Sequence, residues 1–272
     1  MPDDRRIYRH RLWVRVTHWL DLVCMTVLLM SGLQIFNAHP ALYWGESSRF
    51  GDPILAVGAE RDLEGRARGV TTIAGHAFDT TGVLGFSGDP ADAASARAFP
   101  AWSTLPGVQW LAMGRRWHFF FAWLFVANGV LYAVLALFTG HFRRDLVPSR
   151  RDVGRIAHSL RQHLRLRFPK GEEAKRYNIL QRLAYIAVLC GLCPLIILAG
   201  FAMSPRLDAS YPWLLWLFGG RRSARTIHFV CAFSLLAFTA IHILMVLVSG
   251  AGNNLRSMVT GWYDIGEERE RP

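Results

Sequence analysis

The stretch RTIHFVCAFSLLAFTAIHILMVLVSG, Arg225 to Gly250, decides the reading of the chain. From Ile227 to Ser249 it contains no Asp, Glu, Lys or Arg, yet it carries two histidines, His228 and His242. That run reaches the roughly 20 residues a helix needs to cross about 30 Å of hydrocarbon. An ionisable side chain inside hydrocarbon is costly and marks a functional position whose partner must come from elsewhere in the chain.

Three further windows have the same character: Trp13 to Phe36 after a polar first turn, Trp117 to Thr139, and Leu183 to Met203. With 52% hydrophobic and 19% charged residues among 272, the composition is that of a multi-span membrane protein. The expected fold class is therefore an all-α integral membrane protein. One domain over 1–272 forms a four-helix transmembrane bundle with spans at 13–36, 117–139, 183–203 and 227–249. The basic start MPDDRRIYRHR followed by an apolar run resembles a signal peptide, but the run is too long and lacks a small-residue cleavage site, so it reads as a retained first helix.

Arginines and lysines crowd the 140–177 loop and the N-terminus, where Arg5, Arg6, Arg9, Arg11 and Arg15 fall, whereas the 37–114 loop is net acidic. The positive-inside rule then puts both termini and the 140–177 loop in the cytoplasm and the 37–114 loop outside. The net charge of +11 is a topological signal, reinforced by anionic lipid, and implies no nucleic-acid partner. In the basic loop Val153, Ile156, Leu160 and Leu164 recur near helical spacing, which fits either a helix lying on the inner surface or a solvated loop.

His228 and His242 are fourteen positions apart, about 21 Å along a helix with a net rotation of roughly 40°. They share a face near opposite membrane surfaces. His118 lies about one turn into span two, at the depth of His228, and His18 lies in span one at the depth of His242. Two pairs are expected: His118 with His228 and His18 with His242. Laying span two on span four without a gap matches His118 to His228 and Gly140 to Gly250, and sets Tyr132 opposite His242. Spans one and three match more weakly, Gly32 to Gly200, with Ile186 opposite His18. The bundle thus reads as two similar helical hairpins, a parallel repeat.

Zinc sites typically add further Cys, His or carboxylate ligands to a pair of histidines, and Cys24, Cys190, Cys193 and Cys231 within the spans read as small packing residues instead. Haem iron has four positions filled by its porphyrin and accepts axial histidine, so two histidines complete a site. Gly32, fourteen positions after His18, and Gly200 would let a flat macrocycle approach the backbone, or else serve close helix packing. Arg115, Arg116, Arg222 and Arg225 surround one pair and Arg15 the other; they suit haem propionates or interfacial anchoring.

The segments RVTHWLDLVCMTVLLMSGLQIF, RRWHFFFAWLFVANGVLYAVLALFTGHFRRDL and SARTIHFVCAFSLLAFTAIHILMVLVSG resemble the bacterial cytochrome b561 and nickel-iron hydrogenase cytochrome b superfamily. The resemblance covers all four spans, with the four histidines in order and depth as its specific part. It implies a multi-pass protein of the bacterial inner membrane with two haem b groups, His18, His118, His228 and His242 as axial ligands, and electron transfer between a quinone pool and a periplasmic partner. The loops are similar to those of the thiosulfate-reductase-type branch, whose analogy suggests a molybdopterin oxidoreductase as partner, with a soluble cytochrome as the alternative; a homo-oligomer of the chain is a separate expectation. The family also implies a quinone site, for which Tyr132, Arg15, Asp21 and Gln181 are candidates; Asp21 equally suits a snorkelling helix-start carboxylate.

Other functions stay open at this point: a stand-alone superoxide oxidase that reduces quinone, or a proton or metal transporter using intramembrane histidines. The periplasmic loop 37–114 far exceeds an ordinary bundle connection. Tyr43, Trp44, Trp102 and Trp110 suggest an ordered cap, while the Gly-, Ala- and Asp-rich residues 56 to 98 equally suit a mobile insertion. His141 reads as a surface residue, and His10, His39, His76, His158 and His163 as solvated or structural. Cys190 and Cys193 form CGLCP without a following histidine, so this is not a haem-attachment motif. Pro194 should bend span three.

Overall fold

The computed structural model describes residues 6–48, 51–88, 96–148, 154, 156, 159–161 and 179–265. Most of the basic stretch between 149 and 178, with Val153, Leu164, His158 and His163, lies outside the described residues. Four long apolar helices are present: α1 Leu12–Phe36, α2 Leu111–Phe138, α3 Ile179–Ala202 and α4 Arg221–Val248. The last three begin ahead of their apolar windows. Hydropathy marks what hydrocarbon can solvate, whereas the backbone ladder continues past it to include Arg115 and Arg116 at the start of α2 and Arg221 and Arg222 at the start of α4. Only 6% to 22% of the apolar windows is fully buried within the protein, as suits helices long and apolar enough to cross a membrane.

α3 is irregular where Pro194 was expected to act. An α-helical start, Ile179–Ile186, runs into a π-helical stretch, Ala187–Leu192, before the α-helix resumes at Cys193–Ala202. Proline lacks an N–H and its ring crowds the carbonyl four residues earlier, so a wider local winding ahead of Pro194 relieves the clash. α2 and α4 end alike: two residues past each, Gly140 (φ 69°) and Gly250 (φ 109°) take the left-handed conformation that closes a helix C-terminus.

The all-α expectation needs correction in the connection between α1 and α2. It carries a four-stranded antiparallel sheet in the order β2 Ala41–Leu42, β3 Leu55–Arg61, β4 Ala67–Ile73, β5 His76–Asp79. Ile73 pairs with His76, leaving the two-residue loop Ala74–Gly75 with φ of 48° and 81°, the backbone that suits a tight hairpin. Between β3 and β4, Asp62 accepts from the N–H groups of Glu64 (2.9 Å) and Arg66 (2.8 Å) and so nucleates the turn. Phe36, Leu42, Val57 and Ala98 form the buried core beneath, joined by Leu55, Leu84, Phe99 and Phe229.

The chain divides into two compact units. One comprises Met1–Leu20, Ala127–Pro194 and Phe233–Pro272; the other comprises Asp21–Val126 and Leu195–Ala232. The first contains α5, Ala251–Thr260, and a two-stranded antiparallel pairing of β1 Arg6–Tyr8 with β6 Trp262–Asp264 that joins the two ends of the chain. The second contains the sheet and a small core of Ala199, Ala202, Leu214, Phe218 and Ala224.

Candidate cofactor sites

In the second unit α2 and α4 bring His118 and His228 together, with ring centroids 6.1 Å apart and planes at 62°. His228 Nδ1–H donates to the Ile196 carbonyl at 2.9 Å. Ser31 donates its hydroxyl to Val27 O (2.6 Å), which leaves its oxygen to accept from His118 Nδ1–H at 3.1 Å. Each imidazole therefore has its proton on Nδ1 and offers Nε2 as a lone-pair ligand, the arrangement by which an outer partner fixes the tautomer of a metal-ligating histidine. Behind each ring stands a glycine. A Cβ on Gly32 would meet His118 Cε1 at 3.4 Å, and one on Gly200 would meet His228 Cε1 at 3.4 Å.

In the first unit α1 and α4 bring His18 and His242 together, again with centroids 6.1 Å apart, at 72°. Phe238 stacks on His242 at 16° between planes. Asn128 of α2 donates to the Thr17 carbonyl at 2.9 Å, next to His18. α5 holds the same stretch of α1: Trp19 Nε1 donates to Met258 O at 2.9 Å and Arg15 to Val259 O.

Two imidazoles on opposite sides of one iron, each with a metal–nitrogen bond of about 2 Å and a ring centre about 1.1 Å further on, would have centroids about 6 Å apart. Both pairs meet that requirement. Among the described residues no group of three or more His, Cys, Asp or Glu side chains is placed to hold a bare metal ion. A porphyrin that fills the equatorial positions fits a donor set of two imidazoles.

The remaining sequence candidates are placed as follows. Arg225 donates to the His39 carbonyl at 2.6 Å and lies over the Phe36 ring. Arg222 is half-buried and Arg116 exposed. Tyr132 packs on Trp13, 5.5 Å between centroids, and Trp13 meets His141 at the same distance, edge to face. Asp21, three residues beyond His18, and Gln181, in the first turn of α3, are half-buried. His141 is correspondingly half-buried against Trp13 rather than a plain surface residue. His10 is also half-buried, and burial, with Arg9 next, brings its pKa from 6.5 down to about 4. Sequence reasoning missed Ser31, Asn128 and the Ile196 carbonyl; the polar residues among them sit inside apolar runs, a signal that was available.

A family model for prokaryotic cytochrome b561 matches residues 9–261. The chain belongs to the prokaryotic cytochrome b561 family. It is accordingly a multi-pass membrane protein that binds haem b. It is similar to a protein of Azospira oryzae named putative protein-methionine-sulfoxide reductase subunit YedZ1, at 26% identity over 246 residues, covering 89% of this chain and 92% of that one. No solved structure matches it.

Proposed function

We propose that this cytochrome holds two b haems, one between His18 and His242 and one between His118 and His228, and carries electrons across the bacterial inner membrane between quinone and a periplasmic oxidoreductase. The observation that carries the reading is the repeated imidazole pair, with the Nδ1 protons of His118 and His228 engaged and their Nε2 atoms left to ligate. Haem iron, when bound, takes up and releases single electrons. The chain's own residues hold it: Gly32 and Gly200 give the imidazoles room, and Arg15, Arg116, Arg222 and Arg225 supply cations for propionates. Tyr132, Asp21 and Gln181 are the polar groups proposed for quinone near the His18–His242 pair.

A partner outside the chain is supported by the relative, which is named as a reductase subunit. A molybdopterin-dependent oxidoreductase is the partner we propose, with both termini cytoplasmic, the orientation that the positive-inside rule favours. The test is anaerobic addition of a quinol analogue to the protein in proteoliposomes. Reduction of both haems, abolished for the His18–His242 haem in His242→Ala, is expected. Haems that dithionite reduces and no quinol does would refute the quinone link.

A further inference from the structure

Arg97 stands in the connection between α1 and α2 and is only 7% exposed. Its Nη2 donates to Gln34 Oε1 (2.9 Å) and Thr104 Oγ1 (2.9 Å), its Nη1 to the Gly107 carbonyl (2.8 Å), and its Nε is buried without an acceptor. Every one of these acceptors is neutral. Among the described residues no carboxylate pairs with Arg97. Neutral hydrogen bonds return only part of what a guanidinium loses on leaving water, so a buried cation of this kind calls for an anion.

The contacts of Arg97 lead toward the helices of the His118–His228 pair. Gln34 lies on α1 three residues past Ser31, whose Oγ meets His118 Nδ1. Gly114 on α2, four residues before His118, packs so closely on Gln34 that a Cβ there would come within 2.8 Å of Gln34 Cγ. Arg97 is thus held, through Gln34, against the two helices that carry Ser31, Gly32 and His118. Arg222 and Arg225 of α4 are cations as well, and Arg225 already donates to the His39 carbonyl.

We infer that Arg97 is a positioning residue that supplies a fixed positive charge to the haem of the His118–His228 pair and raises its reduction potential relative to the other haem. This rests on the two-haem reading. A haem with two ionised propionates is anionic, and reduction adds one more negative charge, so a fixed cation in a low-dielectric surrounding favours the reduced form. At an effective dielectric constant of about 20, a single unit charge about 12–25 Å away changes that equilibrium by about threefold to tenfold. The sheet-bearing connection then contributes to the electronics of the site, and electrons are drawn toward its side of the protein.

The experiment is a spectroelectrochemical titration with a pyridine haemochrome count on the full chain, comparing wild type, Arg97→Gln, Arg97→Lys and Thr104→Val. Arg97→Gln should keep two haems while one midpoint falls, so that at the wild-type midpoint the reduced-to-oxidised ratio of that haem drops about threefold to tenfold. Arg97→Lys keeps the charge and should restore the midpoint; Thr104→Val loses a tie but no charge and should leave it in place. In a His242→Ala background, the haem that survives should be the one that responds to Arg97→Gln. Two haems with unmoved midpoints, an equal fall in Thr104→Val, or loss of that haem in both Arg97 variants overturns the inference alone. Fewer than two haems in wild type overturns the two-haem reading, and this inference with it.

Discussion

Gly200 gives the sharpest packing prediction. A Cβ at that position would stand 3.4 Å from Cε1 and 3.5 Å from Nδ1 of His228. In Gly200→Ala this is ordinary van der Waals contact, and the helix gains about 0.5–1 kcal/mol from losing a glycine, so haem content and stability should match or slightly exceed wild type. Gly200→Val adds two γ-methyls about 1.5 Å further out, held by the single rotamer that valine prefers in a helix. Overpacking of this kind costs about 1–3 kcal/mol. Displacing the ring also weakens the His228 Nδ1 to Ile196 O bond, 2.9 Å in the native structure, which is worth about 1 kcal/mol. The total, about 2–4 kcal/mol, is concentrated on one ligand. Haem per polypeptide and the temperature at which half the Soret absorbance is lost, both in detergent, read the effect: the valine variant should lose the His118–His228 haem and keep the other. A valine variant with both haems and wild-type thermal loss would refute the reasoning.

Three further outcomes follow from single contacts. Removing residues from Ala251 onward takes away the Met258 and Val259 carbonyls that accept from Trp19 and Arg15; the haem count should fall by one, with the His18–His242 pair affected, and an unchanged count would contradict a holding role for α5. Asn37 accepts from Phe99 N–H at 2.7 Å and donates to Phe99 O at 3.2 Å, so Asn37→Ala removes both bonds, costs about 1–3 kcal/mol, and should speed protease cleavage between α1 and α2. His10 takes up its proton near pH 4 when folded and near 6.5 when unfolded. Its depressed pKa therefore contributes stability that is present above about pH 6.5 and is lost as pH falls toward 4, by up to about 3 kcal/mol. His10→Gln should flatten the thermal stability of the protein across that window.

What could be read in the sequence follows the physics of each signal. A long apolar run with little or no charge has few alternatives to a membrane helix, so the windows from Trp13, Trp117, Leu183 and Ile227 all marked helices now seen. A fourteen-residue interval is close to four helical turns, and the partners His118 and His18 followed from depth alone. The sheet escaped because its strands are short and interrupted: Gly58 and Gly69 break the alternation in β3 and β4, and charges at Glu60, Arg61 and Arg68 resemble loop composition. Its readable clues were the Ala74–Gly75 turn and the Asp62 turn. Arg97 was illegible for another reason. Nothing local in SARAFPAW indicates that one arginine is buried against Gln34, 63 positions away. The same holds for His10 and His141, whose burial depends on contacts between α1, α2 and the chain end.

Two paired-histidine haem sites are open to a single experiment: a dithionite-reduced minus oxidised spectrum with a pyridine haemochrome count on purified wild type, His242→Ala and His118→Ala. Two b haems per chain are expected in wild type and one in each variant, the two survivors differing in spectrum or midpoint. One haem or none in well-folded wild type, or an unchanged count in either variant, would contradict it.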